Sequence, residues 1–90
     1  MTKVVHCKKK KYDVMIDRST KFGNPFILIN TKDDYERQLV IEKYREWITN
    51  GNGKYLLNHL HELKDKTLGC WCSPKPCHGD VLIDLIEKMD

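Results

Sequence analysis

The order of its apolar segments predicts that this 90-residue chain is an α+β (or small α/β) protein, in which a three-stranded sheet packs against three helices. Two short segments rich in valine and isoleucine have the length of strands, and later segments repeat their apolar residues at helical spacing. The elements follow one another in the order β-β-α-α-β-α, which is typical of a small sheet covered by helices. A chain of this length builds one core, so we expect residues 1–90 to form a single domain.

The two N-terminal strands are predicted at residues 2–7 and 12–16. The four lysines at 8–11 separate them, and they indicate either the solvated turn of a hairpin or a patch that attracts phosphate. We expect these two strands to be antiparallel to each other, and the third strand to be parallel to a neighbour. Residues 18–26 form a loop, because Gly-Asn-Pro at 23–25 cannot continue a helix or a central strand.

Three helices account for most of the remaining chain. A capping box at residues 31–34 predicts the start of the first helix, which ends near the Asn-Gly-Asn-Gly segment at 50–53. Its apolar face is formed by Val40, Ile41, Tyr44, Trp47 and Ile48. The second helix is predicted at 54–63, with leucines 56, 57, 60 and 63 facing the core. The third strand is predicted at 66–72 and the last helix at 77–89.

Composition narrows the class of protein. The net charge of +3 is only mildly basic, so it suits a phosphate-bearing small ligand as well as a polynucleotide. The N-terminus has no apolar stretch of signal-peptide length, and the longest aliphatic or aromatic run, 26–29, is far too short for a membrane span. We therefore expect a cytoplasmic protein with no membrane partner and with four reduced cysteines.

The chemistry concentrates in residues 69–80, which read as a strand end, a rigid turn and a helix start. One interpretation is a zinc site formed by Cys70, Cys72, Cys77 and His78, whose donor types suit tetrahedral zinc. Its spacing is unusual, because same-face Cβ atoms two residues apart on a strand are about 6.5–7 Å apart. Zinc instead needs its sulfurs near ~3.8 Å from each other.

A second interpretation of the same segment is a ligand-binding or catalytic site. Cys77 at a helix N-terminus would have a depressed thiol pKa, and His78 could act as an acid, a base or a donor. Asp80 could cap the helix or orient the histidine, and Gly79 could let a ligand approach the backbone. The third interpretation is structural, with the cysteines as small apolar fillers and Asp80 as a cap.

The residues also carry a resemblance to a known family. The loop 18–26 is similar to an Arg-x-Ser-Lys-Trp-Gly-Asn-Pro-Phe block, with Thr20 and Phe22 as departures. Arg37 and the residues after it form a second block, and Cys-Trp-Cys with Pro-Cys-His-Gly-Asp at 70–80 forms the most specific one. Over almost its whole length the chain resembles the uncharacterised family called domain of unknown function 4326, found in bacteria and their phages. The resemblance implies that Arg18, Lys21, Asn24 and Arg37 share one site with the Cys-His segment.

These observations lead to one principal hypothesis and two alternatives. We expect a domain that binds a nucleotide-like or otherwise phosphorylated ligand. If the domain is also an enzyme, Cys77, His78 and Asp80 are the candidate catalytic residues. The candidate ligand-binding residues are Arg18, Lys21, Gly23, Asn24, Arg37, Trp71 and Gly79. The alternatives are a zinc-stabilised nucleic-acid-binding module, with zinc as the one cofactor indicated, and a phage-type factor that binds a host protein or signalling molecule in the host cytoplasm. Oligomeric state is not predicted.

Overall fold

The computed structural model describes residues 2–26, 29, 32–73 and 75–88. The predicted fold class and element order are confirmed. The elements are β1 (Lys3–His6), β2 (Val14–Met15), α1 (Asp34–Asn50), a 3-10 helix (Lys54–Glu62), β3 (Thr67–Cys70) and α2 (His78–Glu87). Within these described residues, no helix is both long enough and apolar enough to cross a membrane.

The sheet is parallel, with β3 between the two N-terminal strands in the order β1-β3-β2. The predicted antiparallel hairpin is therefore wrong. Its two strands do not pair, because the more buried β3 occupies the central place and forms hydrogen bonds on both edges. The chain after the lysine segment 8–11 instead crosses the outer face of β3. Tyr12 packs there against Gly69, where a Cβ would lie 2.7 Å from the Tyr12 ring.

The helices cover the inner face of the sheet. Leu68 of β3, Ile48 of α1 and Val81 of α2 are completely buried in one core. The other members of this core are Ile16, Phe22, Ile41, Tyr44, Leu56, Leu60, Leu63, Cys70, Cys77, Leu82 and Ile86. These contacts confirm the predicted inner faces, with Val40, Trp47 and Leu57 only half-buried.

Several element boundaries differ from the prediction. The N-cap of α1 is Asp33, whose carboxylate accepts hydrogen bonds from the N–H groups of Tyr35 and Glu36, and the predicted cap at Thr31 lies outside the described residues. The third strand ends at Cys70, because a turn follows in which Lys75 N–H donates to the Cys72 carbonyl. The last predicted helical residue, Met89, also lies outside the described part.

Candidate functional site

A cavity of about 360 Å3 lies at the carboxyl ends of β2 and β3, next to the N-terminus of α2. Three parts of the chain line it: the loop after β2, one side of α1, and the segment that leads from β3 into α2. Open parallel sheets commonly bind ligands at this edge, because the loops that follow the strands converge there. The parallel arrangement of β2 and β3 thus brings the loop at 17–26 and the Cys-His segment together.

The start of α2 fixes the position of Cys77. This residue is the N-cap, and its sulfur accepts a hydrogen bond from Gly79 N–H at 3.3 Å. Asp80 Oδ2 in turn accepts from Cys77 N–H at 3.2 Å, which completes a capping box. Asp80 does not line the cavity, so its contacts are those of a helix cap.

Two thiols meet at the inner end of the cavity. The Cys70 thiol donates to the Cys77 sulfur at 3.3 Å, and both residues are buried. This hydrogen bond lowers the pKa of Cys77 against the effect of burial, and Gly79 N–H acts in the same direction. The hydrogen bond with the Cys72 thiol lowers the pKa of Cys70. The hydrogen bond that Cys70 donates to Cys77 and its burial act in the opposite direction, and together they raise that pKa to about 11. Cys77 is therefore the more acidic thiol of the pair, as its helix position predicts.

Cys72 lines the cavity but is only half-buried. Its backbone N–H donates to the Cys70 sulfur at 3.5 Å. The hydrogen bond of its thiol to Cys70, together with burial, raises the pKa of Cys72. Cys70 is thus hydrogen-bonded to both other thiols of the segment, those of Cys72 and Cys77.

His78 is held in one orientation by its neighbours. Its Nε2 lies 2.6 Å from the Ile16 carbonyl oxygen, and its ring meets the edge of the Tyr44 ring at 5.0 Å. Burial lowers the pKa of His78, which favours the neutral ring. A carbonyl only accepts, so Nε2 carries the proton and Nδ1 carries the lone pair.

The cationic lining comes from Arg18 and Arg37. Arg18 donates from Nη2 to the Phe26 carbonyl at 3.3 Å, and Asn24 Oδ1 accepts from Phe26 N–H at 2.8 Å. Arg37 is 6% exposed and donates from Nη1 to the Pro76 carbonyl at 3.3 Å, which connects α1 to the turn before α2. Arg18, Asn24 and Arg37 thus line the same cavity as Cys70, Cys77 and His78.

Three other predicted ligand-binding residues do not line the cavity. Lys21 binds Glu62 at 2.8 Å on the surface. A Cβ on Gly23 would lie 2.3 Å from the Asp17 carbonyl oxygen, so this glycine lets the loop fold back on itself. A Cβ on Gly79 would lie 2.7 Å from a methyl group of Val4, so Gly79 permits close packing of α2 on the sheet.

Asp17 is a cavity residue that sequence reasoning missed. It accepts hydrogen bonds from the N–H and hydroxyl of Ser19 and from Trp71 Nε1 at 3.2 Å. The Ser19 hydroxyl and N–H lower the pKa of Asp17, and Trp71 adds to the effect. The carboxylate thereby positions the half-exposed Trp71 beside the cavity. The local signal was an aspartate two residues before a serine, which is typical of a side-chain-capped turn.

One group of possible metal ligands occurs among the described residues. Ligand atoms of Cys70, Cys77 and His78 all lie within 4.8 Å of one another. Cys72, the fourth residue of the predicted zinc set, is not part of this group.

Comparison with known proteins confirms the resemblance seen in the sequence. The model of the family described as Domain of unknown function (DUF4326) matches residues 3–88. An uncharacterised 12.4 kDa protein from the nrdA-td intergenic region of Enterobacteria phage T4 is 33% identical over 91 residues, which cover 99% of this chain and 81% of the phage protein. An uncharacterised protein of Acanthamoeba polyphaga mimivirus is 38% identical over 82 residues, covering 79% of this chain and 58% of the viral protein. No solved structure matches the chain.

Proposed function

Since the chain belongs to the family domain of unknown function 4326, we infer its function from the site that the fold builds, and we propose that the cavity binds an anionic, nucleotide-like small molecule. The observation that carries this proposal is the pairing of two guanidinium groups, Arg18 and Arg37, with an otherwise mostly apolar lining. Small-molecule sites typically combine an apolar surface with a few convergent polar groups, in volumes of roughly 300–1,000 Å3. The cavity of about 360 Å3 falls in that range.

The arginines supply the anion-binding part of the site. A guanidinium group can donate two parallel hydrogen bonds to a phosphate or carboxylate, which makes Arg18 and Arg37 suitable partners. The helix N-terminus is less available than the sequence suggested. Its capping box already uses Cys77 N–H and Gly79 N–H, so we place the anion at the arginines.

The aromatic lining suits a planar base. Trp71 is 52% exposed and is fixed by its hydrogen bond to Asp17, so it offers an oriented stacking surface. Phe26 lines the cavity as well, on the loop that carries Arg18. Asn24 keeps its amide NH2 group for a polar edge of the ligand, since its Oδ1 accepts from Phe26 N–H. An aromatic surface beside cationic donors favours a nucleotide-like ligand over a simple inorganic anion.

Thermal-shift screening with nucleoside phosphates and other phosphorylated metabolites tests the proposal. A ligand present at 100 times its Kd stabilises the folded state by ~2.7 kcal/mol. For a domain of this size, such a gain raises Tm by about 10–20 °C. No stabilisation by any member of the panel would contradict the proposal.

A pair of variants localises the binding. Arg18→Ala removes a charged donor that lines the cavity, and a hydrogen bond to a charged group contributes about 1.5–3 kcal/mol, so affinity should fall about 10- to 150-fold. Lys21→Ala is the matched control, because Lys21 lies on the same loop but binds Glu62 outside the cavity. Titration calorimetry that shows equal losses for both variants would place binding elsewhere.

A second candidate function is binding of single-stranded nucleic acid on the outer face of the sheet. It is favoured by Lys8, whose Nζ lies 5.4 Å from the centre of the exposed Trp71 ring, and by the 40% exposed Tyr12 at the end of the lysine segment. Lysines beside stacking rings are typical of such surfaces. Binding to a single-stranded oligonucleotide should weaken steeply with salt and after Lys8→Ala. Salt-independent binding, or none, would refute this candidate.

A further inference from the structure

The geometry points to a metal site at the inner end of the cavity, in which Cys70, Cys77 and His78 bind one zinc ion and leave a fourth coordination position facing the cavity. The three side chains all line the cavity and are all buried. The occupant of the fourth position rests on the proposed function, since it would be a donor atom of the bound ligand or a water molecule. Binding of the metal itself does not depend on that function.

The donor set and its spacing fit zinc. Two thiolates and a neutral imidazole give a centre of zero net charge with Zn2+, which suits a buried position. The Cys70 and Cys77 sulfurs are 3.3 Å apart. Zinc bonds of about 2.3 Å at tetrahedral angles need about 3.8 Å, so the sulfurs would separate by about half an ångström. Rotation of the Cys70 and Cys77 side chains about their Cα–Cβ bonds can supply a change of this size.

The surroundings of the three ligands resemble those of a metal centre more than those of packed apolar cysteines. His78 donates Nε2–H to the Ile16 carbonyl, which orients the ring and leaves the Nδ1 lone pair for a metal. Metal-binding histidines almost always make such a second hydrogen bond. Each sulfur also accepts a backbone N–H, Cys70 from Cys72 and Cys77 from Gly79. Backbone donors to both sulfurs stabilise thiolates, whereas apolar packing requires neither these donors nor a buried imidazole.

The number of ligands decides the type of site. Structural zinc sites are closed by four protein ligands, whereas sites with three protein ligands keep one position for water or substrate. The Cys72 thiol is hydrogen-bonded to Cys70, but Cys72 lies outside the group whose ligand atoms converge on the proposed centre. The fourth position therefore opens toward the cavity that Arg18 and Arg37 line, where an anionic group of the ligand could reach the metal.

Cobalt titration of the reduced, metal-free protein tests the site without any organic ligand. We expect one Co2+ per chain, with the visible bands of tetrahedral cobalt and a charge-transfer band whose intensity corresponds to two cobalt–thiolate bonds. Zinc should displace the cobalt and abolish both signals. Absence of these bands in the unaltered protein would overturn the metal site, whatever the variants do.

Serine variants of the four cysteines separate the alternatives. Cys70→Ser and Cys77→Ser should each remove at least half of the charge-transfer intensity. Cys72→Ser and Cys7→Ser should preserve it, and Cys7 is the matched control because it lies in a separate groove that Lys8 and Tyr12 also line. Loss of intensity in Cys72→Ser would show four protein ligands and overturn the open position. Circular dichroism establishes that each variant is folded before it is titrated.

The failures of the two proposals are distinguishable. Arg18→Ala should retain the cobalt bands while losing affinity for the nucleoside phosphate, since Arg18 is not a metal ligand. If the protein binds the nucleoside phosphate in chelator but never binds cobalt, only the metal site is refuted. If it binds cobalt but addition of inorganic phosphate and the nucleoside phosphate leaves the bands unchanged, coordination of the ligand to the metal is refuted.

Discussion

Substitution of Gly79 by alanine tests how α2 is held against the sheet. A Cβ at this position would lie 2.7 Å from Val4 Cγ2, 2.9 Å from Ile16 Cδ1 and 3.3 Å from the Cys77 sulfur. Carbon atoms in contact prefer about 3.5–4.0 Å, so Gly79→Ala must shift α2 or displace two side chains. Because α2 carries Cys77 and His78 into the cavity, the same shift would disturb the site.

The expected loss of stability follows from two opposing effects. Overpacking of a well-packed interior costs about 1–3 kcal/mol, whereas replacing glycine by alanine in a helix gains at most about 1 kcal/mol. We expect Gly79→Ala to lower the free energy of unfolding by about 1–2 kcal/mol. For a domain of this size, that loss lowers Tm by about 4–16 °C.

The assay is urea denaturation of four proteins: the unaltered chain, Gly79→Ala, Val4→Ala and the double variant. Val4 supplies the methyl group nearest to the new Cβ, so the cost of Gly79→Ala should shrink by at least 0.5 kcal/mol, roughly the smallest coupling expected between residues in contact, when Val4 is already alanine. A stabilising effect of Gly79→Ala, or identical costs in both backgrounds, would refute the packing role of this glycine.

Two further predictions concern groups outside the cavity. Tyr44 is fully buried and donates its hydroxyl to the Phe22 carbonyl at 2.9 Å, so Tyr44→Phe should cost about 1–3 kcal/mol in urea denaturation. Tyr35→Phe, at a 74% exposed position, should cost almost nothing, and equal costs for the two variants would refute the role of the buried hydroxyl. The hydrogen bond from Lys21 lowers the pKa of Glu62 below its ordinary value of 4.5, so its stabilising contribution is present above that pH and is lost as pH falls through the folded-state pKa. Glu62→Gln should therefore be less stable than the unaltered chain near neutral pH, and the difference should vanish in acid; a difference that persists in strong acid would refute the ion pair as its cause.

Local patterns in the sequence predicted most of the elements but not the strand pairing. The apolar spacing of α2 and the leucines at 56, 60 and 63 specify which side of each helix faces the core, because that information lies within a few residues. Strand order depends on contacts between distant residues. Nothing near residues 8–11 indicates that β3 will lie between β1 and β2, so a lysine-rich connection between two strands predicts a hairpin that does not form.

The candidate site was predictable to a similar extent. The placement of Cys77 and His78 at a helix start follows from the prolines before them and the apolar stripe after them. The hydrogen bond between Cys70 and Cys77 could not be predicted from the local sequence, because it forms only through the turn that separates the two residues. The orientation of Lys21 toward Glu62 and the hydrogen bond of Asp17 to Trp71 likewise depend on residues distant in sequence.

The proposed binding of an anionic, nucleotide-like molecule in the cavity at the carboxyl edge of the sheet can be followed residue by residue. Its most direct test is a nuclear magnetic resonance titration of the isotope-labelled protein with the nucleoside phosphate that gives the largest thermal shift. We expect saturable changes in the backbone N–H signals of Arg18 and His78 and in the side-chain amide of Asn24. Changes confined to residues 8–11, or no changes at saturating ligand, would contradict the proposed binding.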